Sequence, residues 1–195
     1  MTGKTASGKT TVCRNLADLL KKSRILDADR IAKNIYCEND SILKDLRINF
    51  GDDIFYSNGT VNYGSLADKV FSDESELIKL NKLMFPLINK EIKRIIASSH
   101  NKNYIIIDAA VLFGCELHLL CDFIILVRIK KVMQRRFLKK KFPYLKDNDI
   151  NLRLDGQLLI FKKDFIDFII DNNGTKEELY KKVRFIAEQV KTKEQ

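Results

Sequence analysis

The chain has 195 residues, 45% of them hydrophobic and 31% charged, with 35 Lys and Arg against 26 Asp and Glu. That length suits one domain, or one domain with a small lid, burying roughly 70% of its unfolded surface. No apolar run approaches the ~18 residues of a membrane span, and Met1-Thr2-Gly3-Lys4 does not open a signal peptide. The net charge of +9 suits an anionic partner without choosing among nucleotide, phosphorylated metabolite, nucleic acid or lipid. Cys13, Cys37, Cys115 and Cys121 form no C-x-x-C pair and have only His100 and His118 beside them, which argues against zinc. They read as reduced packing thiols of a cytoplasmic protein, and both histidines as surface residues.

The predicted elements follow an α/β order. Gly8 to Lys22 is a helix with Val12, Leu16, Leu19 and Leu20 on one face. Ile25-Leu26 is a short strand running into Asp27-Ala28-Asp29, and Arg30 to Phe50 is helix-rich. Ser57-Asn58-Gly59 is a turn, and Leu66 to Ser99 is mostly helix, broken or kinked at Pro86. Tyr104 to Asp108 and Phe123 to Val127 are continuous apolar strands, as in a parallel sheet covered on both faces. Val132 to Lys141 is a basic helix, Phe142-Pro143-Tyr144 a turn, and Asn151 to Lys163 a further helix. Phe168 to Ile170 is a last strand before Asp171-Asn172-Asn173-Gly174. Thr175 caps a final helix carrying Leu179, Val183, Ile186 and Val190, and the polar tail from Lys191 is expected to fray.

Gly3-Lys4-Thr5-Ala6-Ser7-Gly8-Lys9-Thr10 fits G-x-x-x-x-G-K-[ST] at every fixed position. Glycines let such a loop curve until successive N–H groups point at one phosphate, and the following helix aims its positive end at the same anion. The predicted nucleotide-binding set is Gly3, Ala6, Ser7, Gly8, Lys9, Thr10 and Thr11. Lys9 supplies a mobile cation to the β- and γ-phosphates, and Thr10 a hydroxyl to Mg²⁺. Asp27-Ala28-Asp29 stands at a strand end roughly 20 residues on, the sheet edge where α/β proteins bind ligands. There a carboxylate orients an acceptor hydroxyl and takes its proton; the plainer reading of Asp29 is a helix N-cap. Asp108 ends its strand as a metal-holding aspartate does, or simply as a turn residue.

At these residues the chain resembles the dephospho-coenzyme A kinase family. The resemblance is carried by Thr2-Gly3 with the phosphate loop, Asp27-Ala28-Asp29-Arg30-Ile31-Ala32, Phe50-Gly51 with Asn58-Gly59, Val70-Phe71, and Asp167-Phe168-Ile169-Ile170-Asp171-Asn172-Asn173-Gly174. It implies a three-layer P-loop kinase fold: a core of about 1–32, 100–130 and 164–195, a substrate-binding helical part of about 33–99, and a lid of about 131–163. It implies transfer of the ATP γ-phosphate to the ribose 3′-hydroxyl of dephospho-CoA, forming coenzyme A, with ATP and Mg²⁺. Residue by residue, Asp29 matches the proposed general base, Arg136 the arginine of the basic helix, and Arg153 and Gln157 the R-x-x-x-Q after the lid. Lys9, Asp29 and Arg136 are then the catalytic set, with Thr10 and Asp108 at the metal. Departures fall on the acceptor side. Asn62-Tyr63 stands where the family has D-R, Phe85-Pro86 where it has His-Pro, and Ala110 to Gly114 where it has P-L-L-F-E, with Glu116 two residues displaced. Another small-molecule or nucleotide kinase of this fold, or a nucleotide-binding protein without catalysis, therefore stays open; no N-K-x-D guanine motif is present.

Around Arg136, the run Lys130, Lys131, Arg135, Lys139, Lys140 and Lys141 is mostly a solvated face. Phe137 and Phe142 interleave with it; they read as lid packing, which argues against nucleic acid as a partner, with an RNA-binding face as the weaker alternative. Phe161, Phe165 and Phe168 read as core, and Asn172-Asn173-Gly174 as a left-handed turn or an adenine border. One feature stands apart. A phosphate loop follows a buried central strand, and only Met1 and Thr2 precede Gly3, so the first strand is expected to be truncated and the functional protein to begin upstream of Met1.

Overall fold

The computed structural model describes residues 1–38, 40–155 and 162–193, without the side chains of Cys37, Glu38, Leu152, Arg153 and Asp155. Arg153, Gln157 and Phe161 therefore lie outside the described residues or side chains. The first helix, α1 (Lys9–Leu19), opens after Gly8 and leads into β1 (Ser23–Asp27) and α2 (Ala28–Glu38). A helical section follows: α3 (Asp40–Phe50), α4 (Tyr63–Ser72) and α5 (Glu74–Ala97). Pro86 sits inside α5 without ending it, so of the expected break or kink there is no break; the helix runs on through Ala97. Then come β2 (Tyr104–Asp108), β3 (Ile125–Arg128), α6 (Lys131–Lys141), α7 (Asp147–Asp155), β4 (Phe168–Asp171) and α8 (Lys176–Thr192). The helix expected from Asn151 instead begins at Asp147, where Asp147 and Asp149 place negative charge in its first turn.

Among the described residues both named strand pairs are parallel, β1 with β2 and β3 with β4, and one isolated antiparallel bridge joins Phe55 to Val61. Met1 and Thr2 join the two pairs into one layer. Met1 N donates to Ile107 O at 2.9 Å, and Ala109 N donates to Met1 O at 3.1 Å. On the other side Thr2 N donates to Ile125 O at 2.9 Å, and Val127 N to Thr2 O at 2.8 Å. The order across the layer is β1, β2, Met1–Thr2, β3, β4. The phosphate loop thus leaves from the centre of the sheet, at the carboxyl ends of its neighbours, which is where ligands meet such sheets.

Apolar clusters cover both faces. Val12, Cys13, Leu16 and Leu20 of α1 meet Leu179, Val183, Ile186 and Val190 of α8 over Ile125, Val127 and Ile170. The second cluster joins Leu26, Ile107 and Leu112 to Ile31, Leu46, Phe50, Leu66, Ile88 and Ile92 of the helical section. A small third one packs Leu138 of α6 on Ile150 and Leu154 of α7. Thr175 caps α8 as expected and completes a reciprocal capping box with Glu178.

Several side chains differ from expectation. His118 is 4% exposed rather than superficial. Its ring packs against Phe113 and Phe165 at 5.1 and 5.2 Å, which burial of a half-apolar imidazole favours. Phe165 is exposed instead of core, although Phe168 packs partly against the α1–α8 cluster. Cys13 and Cys115 are buried packing residues, and burial pushes each thiol up to about 12. The Asn172-Asn173-Gly174 turn has no positive φ, so it is not left-handed.

Candidate active site

The phosphate loop is built by three backbone irregularities. Gly3 has φ +145° and Gly8 φ +95°, and Ala6 holds φ 54° without being glycine. A Cβ on Gly3 would stand 2.3 Å from Val127 O, and one on Gly8 2.3 Å from Asn172 Nδ2, so each position excludes a side chain sterically as well as conformationally. Two contacts that sequence reasoning missed clamp the loop from outside. Buried Asn172 donates to Ser7 O at 2.8 Å, and buried Gln134, on α6, donates through Nε2 to Thr5 O at 2.9 Å.

Inside the curl, Ser7 is fully buried and its hydroxyl has no hydrogen-bond partner among the described residues. An orphaned buried hydroxyl is costly, and an anion in the loop would supply the missing acceptor. Lys9 Nζ donates to Gly3 O at 3.0 Å and Lys4 O at 3.1 Å, lying across the same space. Burial lowers its pKa, while Asp108 and then Asp29 oppose that effect.

Thr10 Oγ1 donates to Asp108 Oδ2 at 2.8 Å, joining the start of α1 to the end of β2. This hydroxyl–carboxylate pair, with Asp108 only 7% exposed, is a hard oxygen donor set suited to Mg²⁺ that keeps most of its waters. Thr11 is exposed on α1 and Ala6 forms the loop's left-handed corner.

The two carboxylates after β1 divide their work. Asp27 Oδ1 accepts from Arg30 N at 3.0 Å, so Asp27, not Asp29, caps α2. Asp29 is left in the first turn with its carboxyl open to the cleft. Protein crowds that cleft enough for lost hydration to raise the Asp29 pKa; Lys9 is the leading opposing influence, and Asp27 and Asp108 add to the rise.

Along α2, Asp29, Lys33 and Tyr36 follow one another at helical spacing on one side. Tyr63 packs there, its ring 5.8 Å from that of Tyr36 and with Lys33 Nζ 5.5 Å from its centroid. On α6, Arg135 and Lys139 are tied to Asp147 at 3.1 and 2.8 Å, whereas exposed Arg136 forms no ion pair among the described residues. The structure thus brings Lys9, Thr10, Asp29 and Asp108 into one cleft; Arg136 stands on the helix that Gln134 ties to its rim.

The dephospho-CoA kinase family model matches residues 1–178. A dephospho-CoA kinase of Lactobacillus acidophilus is 30% identical over 98% of this chain and 96% of its own length. One from Fusobacterium nucleatum is 31% identical over 97% of this chain and 96% of its own. The crystal structure of TT1252 from Thermus thermophilus superposes with a TM-score of 0.73 at 20% identity, covering 96% of this chain and 94% of that one. A dephospho-CoA kinase structure from Campylobacter jejuni does so at 0.62 and 19%, covering 100% and 96%.

Proposed function

Since the chain belongs to the dephospho-CoA kinase family, we propose that this cleft transfers the γ-phosphate of ATP to the ribose 3′-hydroxyl of dephospho-CoA, the last step of coenzyme A formation. The observation that carries the reading is the orphaned Ser7 hydroxyl inside a loop crossed by Lys9, with Thr10–Asp108 and Asp29 opening onto the same cleft. Loop amides and Lys9 hold the phosphates; Lys9 gives up its carbonyl partners to do so. Thr10 and Asp108 would hold Mg²⁺, which neutralises phosphate charge when bound.

Asp29, undercommitted to the α2 cap, accepts a hydrogen bond from the acceptor hydroxyl and receives its proton as the oxygen attacks phosphorus. Its raised pKa makes it a better proton acceptor than an ordinary carboxylate. Arg136 meets the spreading γ-phosphate charge as α6 closes and water leaves. We read the chain as a core of about 1–32, 100–130 and 164–195, a substrate-binding helical part of about 33–99 and a lid of about 131–163, with the acceptor along the Lys33–Tyr36–Tyr63 side of α2. The protein then works in the cytoplasm, with no lipid or nucleic-acid partner.

The test is ADP release on adding dephospho-CoA to protein and Mg·ATP. ATP binding without acceptor-dependent ADP would instead favour a nucleotide-binding protein without catalysis.

A further inference from the structure

The loop after β2 carries a buried histidine that the phosphoryl-transfer chemistry leaves unused. His118 is 4% exposed, and its ring lies between two others. Phe113, from the same loop, stands at 5.1 Å, and Phe165 meets it edge-on at 5.2 Å from the segment that returns from α7 to β4. On that returning segment Lys162 sets its Nζ 3.4 Å from His118 Nε2 and 5.8 Å from the centre of the Phe165 ring.

An ammonium group can only donate, so Nε2 accepts and the ring is neutral with its hydrogen on Nδ1. Nδ1 is enclosed and has no hydrogen-bond partner among the described residues. The contact thus admits one form of the imidazole. A second proton, on Nε2, would remove the acceptor and set two cations side by side, one of them buried. Glu116, on the loop, favours that proton, while burial and then Lys162 oppose it and hold the His118 pKa below its ordinary value. Burial keeps the neighbouring Cys115 and Cys121 thiols neutral, and Lys163 and Asp164 are exposed beside Lys162.

The other side of this loop faces α5. Gly114 lies against the Phe85 ring, and Cys115 O accepts from Asn89 Nδ2 at 2.6 Å. His118 therefore stands between the returning segment and the loop that meets Phe85.

We infer that His118 is a positioning residue, whose neutral ring latches residues 162–165 onto the loop facing Phe85, holding that loop for the acceptor at neutral pH and releasing it on protonation. The acceptor half rests on the kinase reading; the latch itself does not. The latched form binds the His118 proton less tightly than the released form. Latching is thus complete above the ordinary histidine pKa of about 6.5 and is lost as pH falls from there through the lowered value.

The test follows the His118 Cε1–H resonance and the amide-exchange protection of residues 163–166, corrected for intrinsic rates, in the parent, His118→Phe and Lys162→Met. Between pH 7.5 and 5.5 the parent should lose at least ~3-fold in protection as His118 titrates. His118→Phe keeps a ring between Phe113 and Phe165 but cannot titrate, so its protection should be the same at both pH values. Lys162→Met should move the His118 midpoint upward and shrink the loss. The Kd for dephospho-CoA should weaken over the same interval at least ~3-fold more in the parent than in His118→Phe. An equal loss of protection in His118→Phe, or a midpoint unmoved by Lys162→Met, would overturn the latch. A Kd that changes equally in parent and His118→Phe while protection follows His118 would overturn the positioning role. Dephospho-CoA that binds none of the three forms at any pH would sink the kinase reading and the acceptor half with it, while the exchange result still decides the latch.

Discussion

Phe85 occupies the space that a side chain at position 114 would need. A Cβ added to Gly114 would stand 2.6 Å from Phe85 Cε2 and 3.1 Å from its Cζ. Two departures from the resembling family, Phe85 before Pro86 and Gly114, therefore meet in this chain, the ring of one filling the space a side chain at the other would need. Gly114→Glu alone should cost about 1–3 kcal/mol by overpacking. With Phe85→His the cost should fall, giving a coupling of about 1 kcal/mol or more in a denaturation cycle. Additive losses would show the two positions to be independent.

The same pair bears on the acceptor. We propose that Tyr63 and Phe85, standing where the resembling family has cationic or hydrogen-bonding residues, weaken the hold on phosphate and pantetheine, because a hydrogen-bonding site discriminates better than an apolar one. Tyr63→Arg with Phe85→His and Gly114→Glu should lower the KM for dephospho-CoA several-fold while leaving the KM for ATP unchanged. A KM for dephospho-CoA that does not move counts against this wall as the acceptor surface.

Asp29→Asn should trade activity for stability. The folded-state pKa of Asp29 is raised, so the fold binds its proton more tightly than the unfolded chain does. Stability is thus lost as pH rises from the ordinary carboxylate pKa of about 3.9 through the raised value, and stays lower above it. Asn removes that penalty. The variant should melt higher than the parent at pH 8, equal to it near pH 3, and have a kcat lower by 10²-fold or more. Asp27→Asn, which keeps a capping oxygen, should change both far less. A lower melting temperature for Asp29→Asn at pH 8 would contradict the strain assigned to this carboxylate.

Two residues of α6 should separate by what they lose. Arg135 is held by Asp147, so Arg135→Ala should loosen α6 from α7 and change proteolysis of residues 131–155. Arg136 has no such tie among the described residues, so Arg136→Ala should lower kcat at least 10-fold with no change in Tm or proteolysis. Gln134→Ala should raise the KM for ATP, since it frees the loop at Thr5. An Arg136→Ala enzyme with unchanged kcat would remove it from the catalytic set.

Much of this was legible locally. The glycine spacing of the loop, the apolar strands ending in Asp27 and Asp108, and the Thr175 cap each depend on residues close in sequence. The clamps were not, because Gln134 meets Thr5 across 129 residues and Asn172 meets Ser7 across 165, with no local pattern to mark either. His118 misled in part for the same reason: besides nearby Phe113, its ring meets Phe165, 47 positions away, a contact that no local pattern marks. Asp27 and Asp29 could be told apart only once the start of α2 placed Asp27 before the first turn and Asp29 within it.

The most direct test follows ADP and the product together, with Lys9→Ala beside the parent chain. With Mg·ATP and dephospho-CoA, the parent should release ADP in proportion to acceptor consumed, and the product should carry one added phosphoryl group on the ribose 3′-oxygen. Lys9→Ala should keep its fold by circular dichroism and lose roughly 3 kcal/mol or more of transition-state stabilisation, a drop of at least ~100-fold in kcat. Acceptor-independent ADP release, phosphorylation at another oxygen, or a Lys9→Ala variant with the parent's turnover would contradict the account.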